Sequence, residues 1–229
     1  MDSCPWHLQG NGKASRRGSL IRLTATLIVA GQCSTACQPA DVGSRRIHAG
    51  FAFEGLTPAS VGVVSDRLSA PLTPDDLRTI ESAALRELHI AFANTRLQFN
   101  TSHRYAYRVR VVPQLVSRRA RPAAGESFSF GGTLGSGAVA FNIVALSALA
   151  YAPAGTDHAT IVHAIGRGIG RTAVHEFAHQ ILGPAAMDGT ADLFSYEHAD
   201  LRAEHFFAQL HWGPAAVRLR QRIGLRPHR

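Results

Sequence analysis

Thr172-Ala-Val-His175-Glu176-Phe-Ala-His179-Gln-Ile-Leu-Gly183 is the stretch on which the fold and the chemistry both turn. His175 and His179 stand four residues apart, so on a helix they share one face and present two imidazoles to a single metal ion. Glu176 lies about 100° further round that helix. From there its carboxylate reaches a metal-coordinated water without becoming a ligand. The helix that carries these residues reads from about Asp157 to Leu182, with Gly183 as a stop and Pro184 behind it. Gly166, Gly168 and Gly170 fall inside it. No strand precedes them in the arrangement a dinucleotide needs, so they read as places of close packing, at about 1 kcal/mol each in helix propensity.

Two histidines and a water leave a zinc ion short of one protein ligand. Cysteine is excluded, because Cys4, Cys33 and Cys37 are the only thiols and all precede residue 38. The metzincin continuation would place glycine and histidine three and six residues after His179, where this chain has Leu182 and Ala185. Downstream runs Met187-Asp-Gly-Thr-Ala-Asp192-Leu-Phe-Ser-Tyr196-Glu197-His198. Three carboxylates compete there for the third position: Asp188, Asp192 and Glu197. Asp188 also suits a turn cap. Asp200 and Glu204 are candidates for holding a ligating imidazole in its tautomer, and His198, His205 and His211 for a further contact at the site. Their simpler reading is exposed helix charge. Trp212 and Phe206-Phe207 read as core.

The run HEFAH followed by GTADLFSY resembles the aspzincins, the deuterolysin-like metalloendopeptidases, whose pattern is HExxH followed by GTxDxxYG. The resemblance implies that Asp192 is the third zinc ligand and that Tyr196 takes the place of the tyrosine that stabilises the transition state. Tyr196 stands four residues after Asp192 where the family has three, and Glu197 occupies the place of the following glycine. The likeness covers residues 172–208 only. A gluzincin-like arrangement, as in thermolysin, would make Glu197 the third ligand instead.

Outward from the motif the chain reads as α+β. Thr73-Pro74-Asp75-Asp76 is a strong helix start, and Leu77, Ile80, Ala84, Leu88 and Ala91 follow at helical spacing. Tyr105 to Val111 alternates with period two, a half-buried strand with Arg108 and Arg110 on its solvated face. Residues 51–72 read as irregular with a strand-like Val61-Gly-Val-Val64. Residues 117–136 read as a long surface loop, and 137–144 as a further strand, a candidate edge, where a substrate would add as a strand.

Residues 1–37 read as an export signal: Lys13, Arg16 and Arg17 lead into the apolar run Leu20–Ala30 and then small residues. Ser15-Arg-Arg-Gly-Ser-Leu20 has a twin-arginine-like pattern. If 1–37 is not a signal, the chain is cytoplasmic. Residues 38–50 read as a linker and 51–229 as a single domain. No stretch reaches the roughly 18 apolar residues of a membrane span. The formal charge of +8 invites a nucleic-acid reading. Lys13 is the only lysine, however, and the arginines are spread without interleaved aromatics, which argues against one.

The sequence therefore leads to a zincin-like fold, a small sheet packed on an active-site helix with a helical C-terminal part. The expected activity is zinc-dependent hydrolysis of peptide bonds, with His175, His179 and Asp192 (or Glu197) holding Zn2+. Glu176 is the expected general base and Tyr196 the expected oxyanion donor. The alternative is a non-catalytic metal-binding or interaction protein that keeps the ligands.

Overall fold

The helix that carries His175, Glu176 and His179 lies across a five-stranded sheet in the computed structural model, which describes residues 46–101, 105–115, 123–183, 187 and 190–225. The expected export segment, most of the linker and Asp188 lie outside the described residues. The strands are β1 (Ile47–Phe53), β2 (Leu97–Asn100), β3 (Tyr107–Val112), β4 (Gly125–Phe130) and β5 (Leu134–Ala140). Their order is β2-β1-β3-β5-β4, with every pairing parallel except β4 against β5. The helices are α1 (Gly62–Ser65), α2 (Pro74–Ala91), α3 (Phe141–Tyr151), α4 (His158–Leu182), α5 (Ala203–Phe207) and α6 (Ala215–Ile223). A mixed sheet with helices is the α+β class expected.

Both long helices form where the sequence places them, because their ends are chemically marked. Thr73 caps α2: its hydroxyl accepts from the Asp76 amide while the Asp76 carboxylate accepts from the Thr73 amide. Burial raises the Asp76 carboxyl and the Thr73 bonds lower it, with a net shift below the ordinary value. Asp157 caps α4 through the Thr160 amide, and Gly183 ends it at a φ of 89°. Two of the glycines inside α4, Gly166 and Gly170, bring it hard against α2. A methyl on Gly166 would sit 2.6 Å from the Ile80 carbonyl, and one on Gly170 2.6 Å from the Ala84 carbonyl.

β3 keeps the expected alternation, with Tyr107, Val109 and Val111 buried on the α4 side and Arg108 and Arg110 in solvent. Four expectations change. β1 begins inside the stretch read as linker and is central to the sheet. Val61 and Val64 bury from one helical turn rather than a strand. β4 lies within the stretch read as a loop, because Gly-Glu-Ser-Phe-Ser-Phe alternates small and aromatic residues. The expected strand at 137–144 is β5 only to Ala140, lies inside the sheet, and gives way to α3. Helix α3 buries one face but is apolar around most of its circumference, so its sequence carries no amphipathic period.

A buried ion pair joins α2 to α4. The Arg171 guanidinium, 2% exposed, donates to Glu87 at 3.1 Å, and Arg167 donates to the same carboxylate at 3.2 Å. Burial pulls the Arg171 guanidinium below its ordinary value, which Glu87 opposes. Removing one partner leaves an uncompensated charge in the interior. Glu87→Ala is expected to cost about 3–5 kcal/mol in urea unfolding. Replacing Glu87 and Arg171 together by apolar residues of similar volume is expected to cost much less.

Candidate metal centre

His175, Glu176 and His179 sit in the last two turns of α4, so their positions follow from how that helix is seated. Gln180 sets its height over the sheet. Its side chain is fully buried, accepts from the Arg108 amide at 3.2 Å and donates to the Arg108 carbonyl at 3.1 Å. Ser129 of β4 donates to the Gln180 carbonyl at 2.8 Å. Strand β4 and the end of α4 are therefore tied together, with the histidine face turned to the cleft beside them.

The Nε2 atoms of His175 and His179 lie 3.0 Å apart. Two ligands of one tetrahedral zinc, at about 2.0–2.1 Å each, are about 3.3 Å apart, so the observed separation is close to what one shared ion would require. His175 donates its Nδ1 hydrogen to the Tyr196 carbonyl at 3.0 Å, which fixes the tautomer with the Nε2 lone pair facing His179. Glu176 is 6% exposed and reaches the same cleft. These donors fit a zinc ion.

The cleft encloses about 650 Å³. One wall is residues 123–130, including the whole of β4, the terminal and antiparallel strand of the sheet. The other is formed by Ala199, Asp200, Leu201 and His205, and the floor by Thr172 and the motif residues. His205 is neutral here. Burial pulls its imidazole down to about 3, with Arg171 adding repulsion, while a bond to the Gly168 carbonyl at 3.1 Å works the other way.

The downstream candidates are placed as follows. Asp192 pairs with His211 at 2.9 Å on the surface and accepts from the Phe194 amide. Glu197 is 4% exposed and accepts from the Ala215 amide at 3.0 Å, so it caps α6. Among the described residues, no third His, Cys, Asp or Glu joins His175 and His179 in a ligand group. The Tyr196 ring packs on Trp212. Burial, and then Glu87, with which it shares a hydrogen bond, push the phenol up to about 12. Tyr196 thus reaches the site through its backbone carbonyl, not through its hydroxyl. Asp200 lines the cleft but pairs with Arg202 at 3.2 Å. His198 donates to the Thr190 carbonyl at 3.1 Å, and its other nitrogen is buried with no hydrogen-bond partner among the described residues.

The sequence reading missed the strand beside the site, Gly125–Phe130, together with Thr172 and Gln180. The alternation of GESFSF signals the strand, but it is short and follows an arginine-rich stretch. Nothing local marks Gln180, whose partner is 72 residues away.

No protein-family model matches the chain, and no curated protein matches it.

The His205 shift carries a pH dependence. Its folded value is depressed to about 3 from an ordinary 6.5. Between those values the unfolded chain holds one proton more, so stability falls as pH drops from 6.5 towards 3. In His205→Gln the decline of Tm between pH 6.5 and 4.5 is expected to be shallower than in the wild type, by differential scanning calorimetry of the metal-free protein.

Proposed function

We propose that the chain is a zinc-dependent peptidase of zincin-like fold, and that residues 1–37 direct its export. One observation carries the reading: two imidazole nitrogens 3.0 Å apart beside a buried carboxylate, in a cleft walled by a terminal antiparallel strand. His175 and His179 would hold the zinc. The resemblance gives the third position to Asp192, which must leave His211 to take it.

A bound zinc ion lowers the pKa of a coordinated water to about 7 and so supplies a nucleophile at neutral pH. Glu176 takes the proton of the attacking water and passes it to the leaving amine. The Tyr196 carbonyl holds the His175 ring in the tautomer and orientation that ligation needs. An extended peptide pairs with the outer edge of β4, which lines the cleft along its length. The substrate-pairing strand is therefore 125–130, in place of the stretch at 137–144.

A non-catalytic metal-binding protein would need the same two histidines but not Glu176. Glu176→Gln is expected to keep the zinc content of the wild type and to lower kcat/KM on a peptide substrate by about 10²–10⁴-fold. His175→Ala and His179→Ala are expected to weaken zinc binding by more than about 100-fold in a competitive chelator titration. A wild-type protein that binds zinc tightly and cleaves no peptide in a broad library would leave only the non-catalytic reading standing.

A further inference from the structure

We infer that Gly125, the first residue of β4, is a positioning residue for Glu176; the inference rests on the peptidase reading above. The α4-facing row of β4 is Gly125, Ser127 and Ser129, paired in register with Val139, Gly137 and Gly135 of β5. Five of these six side chains are as small as the genetic code allows or nearly so, and two polar residues one turn apart on α4 fill the space. A methyl on Gly135 would sit 2.4 Å from Gln180 Cβ, and one on Gly137 would sit 2.9 Å from Gln180 Nε2. One turn earlier the same relation holds for the base: a methyl on Gly125 would sit 2.3 Å from Glu176 Oε1 and 2.9 Å from its Cδ.

The Glu176 carboxylate is not the only group crowding that position. The Thr172 methyl, one helical turn before Glu176, also stands 2.9 Å from that methyl position. Thr172 is itself fixed, donating to the Gly168 carbonyl at 2.9 Å. Strand β4 cannot back away freely, since Ser129 holds it to the Gln180 carbonyl. A side chain at 125 must therefore turn Glu176 out of its rotamer or lift the start of the strand. The absence of a Cβ at this one position lets the base lie against the backbone of the strand on which the peptide docks. No positive φ is involved at Gly125, so close approach alone requires glycine there.

The test is Gly125→Ala, alone and combined with Glu176→Ala. In the metal-free protein the single substitution is expected to lower Tm by about 3–8 °C. With Glu176 truncated, the same glycine substitution is expected to cost less than half as much. In the zinc-loaded enzyme Gly125→Ala is expected to lower kcat by about 100-fold, the cost of misplacing a catalytic group by about 1 Å. KM is expected to stay within about threefold and zinc content to stay that of the wild type. The inference is overturned if the Tm loss is the same with and without the Glu176 side chain, or if Gly125→Ala keeps kcat within twofold. A wild-type chain that binds zinc and cleaves nothing defeats the peptidase reading alone. In that case coupling between positions 125 and 176 in Tm still supports the positioning of Glu176, and its absence overturns it.

Discussion

The seat of α4 on the sheet is the constraint from which the site follows, and it rests on one buried amide. Gln180 bonds both backbone groups of Arg108, one bond each way. A buried amide left unpaired costs on the order of 1–3 kcal/mol, so α4 has one strongly preferred height and rotation. His179 precedes Gln180 directly and Glu176 lies one turn back. Their distance from β4 is therefore fixed by a contact that does not itself involve the metal motif.

The opposite face of α4 fastens the far wall of the cleft. Beyond its ion pair with Glu87, Arg171 donates to the carbonyls of Glu204, His205 and Ala208. An arginine suits this place because its fork of donors satisfies a carboxylate and several carbonyls at once. Helix α5 has only five residues and no side-chain cap, so these bonds hold it more than its own hydrogen bonding does. The His205 ring then reaches back to Gly168 of α4. Helix α4 thus presents His175, Glu176 and His179 to the cleft and holds both cleft walls through its polar contacts.

Much of this was legible because the chain marks it locally. The Thr73 and Asp157 caps, the stop at Gly183 and the period-two run through Arg108 and Arg110 each sit within a few residues of the element they define. The histidine pair was legible for the same reason, since helical spacing alone converges it. What was not legible depends on distant partners. Helix α3 hides its identity because it is apolar around most of its circumference. The small residues of β4, and Gly135 of β5, look like loop until Glu176 and Gln180 are laid over them. The pairing of Gln180 with Arg108 has no local trace.

The segment after the motif shows how spacing and backbone demand can part. By spacing, Glu197 is a suitable distance beyond His179 to ligate. The backbone there has another use for it. Tyr196 donates its amide to the His211 carbonyl, and the His211 amide donates to the Phe194 carbonyl, so residues 194–196 run beside residue 211. That pairing brings Glu197 under the first turn of α6, where the Ala215 amide requires an acceptor and Gly213 leaves room for the carboxylate. It also turns the Tyr196 carbonyl towards His175 and sends the phenol to Glu87. The residue that a family pattern values for its hydroxyl thus acts on the site through its backbone. A hydrogen bond to the His175 imidazole needs only a carbonyl at the right place, so what that contact demands at 196 is the path of the chain. The aromatic ring, packed on Trp212, serves to hold that path.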